Sequence, residues 1–193
     1  MSAHADRPFA ELVERVASAD PAPGAGPSAA WTCALAAALV EMVSAVTLRK
    51  EPVDAGAVTR RRERAAELRA TALALADEDV VAYSAVLDVL RRREEPGHGA
   101  RLVAALSGAA DPPLAIAETA GEVARLAAEA AAEARGAVKG EAVTAAVLAE
   151  AVARACAPLV DMNLGSAPND SRRARVREIA ELAREDLASA SGG

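Results

Sequence analysis

Apolar residues recur at three- and four-residue intervals along nearly the whole chain, and no stretch alternates between apolar and polar as a strand would. Phe9, Leu12, Val13 and Val16 share one face of a first predicted helix, Pro8 to Ala19, which Pro21 and Pro23 close. Trp31, Leu35, Leu39, Met42, Val43 and Val46 make a broad apolar stripe on a second, Pro27 to Lys50, ended by Glu51-Pro52. A very long helical pattern follows from Val53 to Glu95, with an expected break or kink near Ala76 to Asp79. After the Pro96-Gly97-His98-Gly99 loop come a short helix, Ala100 to Ala109, and helices over Pro113 to Arg135 and Glu141 to Leu164. Asn169 or Asp170 caps a last helix to about Ala188, and residues 1–7 and 189–193 are expected to be flexible.

Composition sharpens this into a fold class. Of 193 residues, 54 are alanine, and aromatics supply only 2%. Alanine is the best helix former, and its small side chain lets helix axes approach closely. The prediction is an all-α, single-domain bundle of long alanine-rich helices spanning 1–193. The net charge of −6 opposes a nucleic-acid surface. The runs Arg60-Arg61-Arg62 and Arg91-Arg92-Arg93 have no interleaved aromatics to stack on bases. The cleanest apolar run, Ala29 to Val40, is about half the roughly 20 residues of a membrane span. With no basic leader segment, and with Cys33 and Cys156 inside apolar patterns as reduced thiols, a cytoplasmic protein without membrane or nucleic-acid partners is expected.

The densest local signal is Pro21-Ala22-Pro23-Gly24-Ala25-Gly26-Pro27-Ser28, which runs directly into the alanine-rich second helix. Glycines remove side chains where a ligand can approach the backbone, and amides at a helix start hold anions. Pro23, Gly24, Gly26 and Ser28 are therefore candidate binding residues; an ordinary helix start is the bland alternative. Asp79 interrupts an apolar segment, with Tyr83 four residues later on the same face. Partial burial would raise its pKa and fit it to proton transfer, whereas a solvent-facing acid beside the exposed Asp77 and Glu78 would do nothing. Glu141 follows Gly140 at a predicted helix start, where the helix dipole alone accounts for a carboxylate. Asp161 and Asn163 interrupt an Ala/Val/Leu helix and need partners if buried. Lys50, with Arg49, either complements a helix C-terminus or meets anionic substrate. No metal site is expected, since His4 and His98 stand apart in loose segments.

The order of these motifs resembles the cyclodeaminase/cyclohydrolase family of folate enzymes. The opening is similar to that family's Pro-Thr-Pro-Gly-Gly-Gly-Ser-Ala-Ala. Matches follow at Glu41-Met42-Val43, Val46 to Lys50, Leu73 to Tyr83, Ala109 to Leu114, and Asp161 to Leu164 with Asp170. Departures are Ala25 for the middle glycine, Pro27 before Ser28, Gly136 to Glu141 for a Gly-Asn…Ser-Asp stretch, and Leu159 for an asparagine.

The resemblance implies a homodimer that binds a reduced folate and acts at its one-carbon unit, by C–N hydrolysis of methenyltetrahydrofolate or deaminative cyclisation of formiminotetrahydrofolate. It implies no cofactor. It favours Asp79 and Glu141 for proton transfer, Gly24, Gly26 and Ser28 along the site, and Asp161 and Asn163 orienting the pterin. The rival is a non-catalytic descendant that keeps the bundle and binds another small molecule or a protein, favoured by the changes at Ala25, Ala137 and Leu159.

Overall fold

The computed structural model describes residues 8–50, 54–165 and 167–192. Among them are seven helices and no strand: α1 (Phe9–Val16), α2 (Ala25–Leu48), α3 (Ala55–Arg91), α4 (His98–Ala109), α5 (Asp111–Glu133), α6 (Ala137–Asn163) and α7 (Ser171–Ser191). The all-α expectation holds. α2, α5 and α6 form the centre, with α3 against α2 and α7 across α5 and α6. The buried residues make one continuous cluster dominated by alanine, including Ala30, Ala36, Ala37, Ala124, Ala146 and Ala153. Short side chains permit this close approach; an added Cβ at Gly121 on α5 would already stand 2.9 Å from Ile179 Cγ2 on α7.

Several boundaries differ from the sequence reading. α1 is only 8 residues long and buries Leu12 alone, leaving Phe9 and Val13 exposed. The apolar stripe assigned to α2 is only partly inside: Leu35 and Met42 face out, while buried alanines run around the rest of the helix. α3 continues unbroken for 37 residues, because Asp77, Glu78 and Asp79 are tolerated within a helix whose flanks are strong helix formers. The last helix continues through Ser191, since Ala190 packs into the core and holds residues 189–191 in place. Glu51-Pro52, Val53 and residues 1–7 lie outside the described residues. Asp170 caps α7, accepting from the Arg172 amide at 3.0 Å.

α2 and α6 are long and apolar enough to cross a membrane by length and composition, which the Ala29–Val40 run alone did not reveal. In the fold they are the central pair, and their apolar faces pack on each other, α3 and α5.

Among the described residues two charged groups are buried, Glu150 on α6 and Arg61 on α3. Arg61, 5% exposed, donates to Glu133 from both terminal nitrogens (3.1 and 2.8 Å) and from Nε to the buried Ser44 hydroxyl at 3.3 Å. It ties α3 to α2 and α5. Arg61→Met is expected to lower unfolding free energy by about 1–3 kcal/mol in urea titration, because Ser44 and Glu133 lose their donors. An unchanged midpoint would show that the pair contributes nothing net.

Candidate active site

One cleft of about 240 Å³ opens where four segments meet: the loop before α2 and its first turn, the middle of α3, the α4–α5 corner, and the C-terminal end of α6. Its wall includes Gly24, Gly26, Asp79, Tyr83 and Asn163, five of the residues singled out from sequence. The volume lies below the roughly 300–1,000 Å³ that encloses a whole small ligand. It therefore has room for only part of such a ligand.

The local chain explains the geometry. α2 begins at Ala25, two residues earlier than the proline position suggested, so Gly24 is its N-cap and Pro27 sits within the first turn. Gly24 has no side chain to cap the helix, which leaves the Ala25 and Gly26 amides without a side-chain partner at the positive end. Ser28 is partly buried and its hydroxyl donates back to the Gly24 carbonyl at 2.8 Å, so it braces the turn. Pro23, after a cis Ala22–Pro23 peptide, is buried beneath the loop rather than on the wall.

Asp79 lies directly over this turn. A Cβ placed on Gly26 would fall well inside van der Waals contact of the Asp79 carboxylate, both oxygens and Cγ. Gly26 is thus the position where backbone must approach a side chain. Burial pushes the Asp79 pKa up to about 6. No hydrogen bond or ion pair among the described residues offsets that desolvation. Asp77, expected to be fully exposed, is half-buried; Glu78 is exposed. Tyr83 follows one turn after Asp79 at the cleft wall, 37% exposed.

Asn163 crosses from α6 to the α4–α5 corner, donating from Nδ2 to the Ala109 carbonyl at 2.8 Å. That bond fixes the amide, and Oδ1 is left as an acceptor on a cleft residue. The corner is held from the other side by Arg172, which donates to the Ser107 carbonyl at 2.8 Å and pairs with Asp111 at 2.5 Å. Cys33 and Cys156 are fully buried, and burial pushes each thiol up to about 12, so neither is a nucleophile at neutral pH.

Three expected members stand elsewhere. Glu141 lies inside the first turns of α6, exposed, 22 residues before Asn163. At 1.5 Å per residue that is about 33 Å from Asn163, and about 27 Å from Leu159, the nearest cleft residue on α6. The expectation that it follows a helix start fails because α6 begins at Ala137. Lys50 lies just beyond the C-terminal end of α2, lining a separate hollow with Glu133 and Arg135. Asp161 points to α7, bonded to Arg173 (2.7 Å) and Arg177 (2.8 Å). Desolvation acts to raise its pKa, but these two guanidiniums hold it below the ordinary carboxylate value. Asp161 thus fastens α6 to α7. The wall residues that were not candidates from sequence include Pro21, Ala22, Ala109, Pro113 and Met162. The Ala109 to Leu114 match carried the signal for Ala109 and Pro113. Two departures from the family pattern, Ala25 and Leu159, also fall on the cleft wall, whereas Ala137 lies at the far end. No group of three or more potential metal ligands occurs among the described residues.

A model of the formiminotransferase-cyclodeaminase family matches residues 8–182. The chain belongs to that family. The methenyltetrahydrofolate cyclohydrolase of Methylorubrum extorquens is 33% identical over 123 residues, 60% of this chain and 59% of that protein. The chain thus matches about three-fifths of the length of this curated relative. The crystal structure of formiminotetrahydrofolate cyclodeaminase from Thermotoga maritima has the same fold. It superposes with a TM-score of 0.81 at 24% identity, over 96% of this chain and 92% of that one. Within this family fold, four of the sequence matches meet at one cleft: the turn at Gly24 to Ser28, the segment around Asp79, the Ala109 to Leu114 corner and the Asp161 to Leu164 end of α6.

Proposed function

We propose that this chain acts on methenyl- or formimino-tetrahydrofolate, by C–N hydrolysis or deaminative cyclisation, with Asp79 as the proton-transfer group. The observation that carries the reading is Asp79 itself: a half-buried carboxyl with a pKa of about 6, seated over the open end of α2 in a cleft with room for part of a ligand. A pKa near the working pH lets one carboxyl both take and return a proton. In hydrolysis, water adds to the methenyl carbon and one of its protons passes to ionised Asp79; Asp79 returns that proton to the ring nitrogen as its C–N bond breaks, and the remaining hydroxyl gives up its proton to solvent as it becomes the formyl carbonyl. In cyclisation, the ring nitrogen closes on the formimino carbon, and its own proton together with the one held by Asp79 reaches the imino nitrogen, which leaves as ammonia. Neither route needs a redox cofactor. Asn163 Oδ1 accepts from a donor on the bound ring, and Tyr83 flanks the opening. The glutamate tail extends out of the cleft. We further propose a cytoplasmic homodimer.

The test is direct. Purified protein is expected to consume methenyltetrahydrofolate, followed by loss of its absorbance, or to release ammonia from formiminotetrahydrofolate, above the buffer rate. A rate equal to buffer for both substrates removes the enzymatic reading.

A second reading, a binding protein without turnover, rests on Ala25 and Leu159. Both put apolar surface on the cleft wall where the family pattern has a glycine and an asparagine. Calorimetric folate binding with no turnover would favour it.

A further inference from the structure

The wall of the cleft changes character with depth. α3 and α6 take diagonal corners of the bundle, each packed against both α2 and α5. Both run toward the cleft: α3 from the turn around Arg61, and α6 from Val138 beside the Lys50 hollow. Tyr83 therefore stands outside Asp79 on α3, and Met162 stands outside Leu159 on α6. At 1.5 Å per residue these steps are about 6 Å and about 4.5 Å. The mouth thus carries a phenol ring on one helix and a thioether on the helix diagonal to it.

Met162 is 75% exposed, the highest value of any large apolar side chain among the described residues. Both of its neighbours on α6 are engaged, Asp161 with α7 and Asn163 with the Ala109 carbonyl. A rotation of about 100° per residue points Met162 between those two directions, at the rim. Tyr83, the single tyrosine of the chain, is 37% exposed. Among the described residues that line the cleft there is no lysine or arginine. The mouth is therefore built to grip by apolar contact, not by charge.

We infer that Tyr83 and Met162 clamp the aromatic ring of the ligand that emerges from the cleft, the benzoyl ring of a reduced folate. This clamp rests on the folate reading above and adds which part of the molecule the mouth recognises. The methenyl carbon is bonded to the nitrogen that carries the benzoyl ring. With that carbon at Asp79, the ring emerges about one helical turn farther out, at the level of Tyr83. A flat ring held there stacks on the phenol and meets the Met162 sulfur on its other side. Three rotatable bonds let the methionine close on the ring without moving α6. The anionic glutamate tail beyond the ring passes into solvent.

The chain has three methionines, so isotopically labelled methionine methyl groups read the site directly by NMR. The Met162 signal is assigned by its loss in Met162→Leu. When formyltetrahydrofolate is added to the full chain, that signal should move upfield by ring current, while Met42, on the outer face of α2, should stay. Met162→Ala should raise KM for methenyltetrahydrofolate about tenfold and change kcat less than about twofold, since the ring contact is the same in ground and transition states. Met162→Leu should recover most of the loss. Tyr83→Phe, which keeps the ring, should lose less than Tyr83→Ala. A Met162 methyl signal that stays put in protein that binds the folate overturns the clamp alone, as does an unchanged KM in Met162→Ala. If wild-type protein neither binds formyltetrahydrofolate in calorimetry nor turns over either substrate, the folate reading falls and the clamp falls with it.

Discussion

Asp79→Asn is expected to cut turnover by about 10²–10⁴-fold, the range for loss of a positioned general acid or base. Asparagine matches the carboxyl in shape, so the contact over Gly26 survives and the loss reports chemistry rather than collapse. For the hydrolytic reaction kcat/KM should rise with pH about a midpoint near 6, where Asp79 ionises, and Asp79→Asn should lack that limb. The same variant has a stability consequence of opposite benefit. The folded-state pKa of about 6 lies above the ordinary 3.8, so the folded protein holds this proton more tightly than the unfolded chain. Stability from this group is therefore fully present below about pH 4, falls as pH rises to about 6, and stays low above it. Full burial would make that about 3 kcal/mol; the partial solvent access of Asp79 reduces it to about 1–2 kcal/mol. Asp79→Asn should be more stable than wild type by that amount at pH 7 in urea titration, and no more stable at pH 4. An enzyme that loses activity and gains stability in one substitution marks a carboxyl kept for function.

Gly26→Ala is the second large effect, and it separates geometry from charge. The new methyl would occupy the place of the Asp79 carboxyl. The carboxyl ends a flexible side chain, so it gives way while the helix stays. Alanine also improves a helical position by about 1 kcal/mol over glycine, which offsets much of the crowding. Melting temperature should therefore change little, while turnover falls about 10²-fold from a displacement of roughly an ångström. Gly140→Ala is the matched control: nothing lies within 4 Å of its added methyl, and it neighbours Glu141 at the far end of α6. It should keep full activity. Full activity in Gly26→Ala would detach the turn from catalysis, and lost activity in Gly140→Ala would return Glu141 to the site.

These contrasts show how the chain's linear order and its geometry divide the explanation. Helix content was legible because alanine propensity and the proline and glycine punctuation are local properties. Asp79 was legible as an acid in an apolar segment, and the Gly24 to Ser28 turn as a helix start open to an anion. Asp161 and Asn163 show where that ends. They lie two residues apart on α6 and look equivalent in sequence, yet the helical rotation between them sends one to two arginines of α7 and the other to the cleft. Nothing within α6 itself announces the partners that α7 supplies.

From its residues alone, then, the protein was determined to be a bundle of long helices with close-packed alanines, a glycine turn at the start of α2 and an acid in α3, since each depends on neighbours within a few positions. Only the tertiary structure decided that the turn and the acid touch, that Gly26 is small for the sake of Asp79, and that Glu141 and Lys50 stand at the other end. The physical reason is helix length: a rise of 1.5 Å per residue carries the two ends of α2 or α6 more than 30 Å apart, and only packing selects which ends meet.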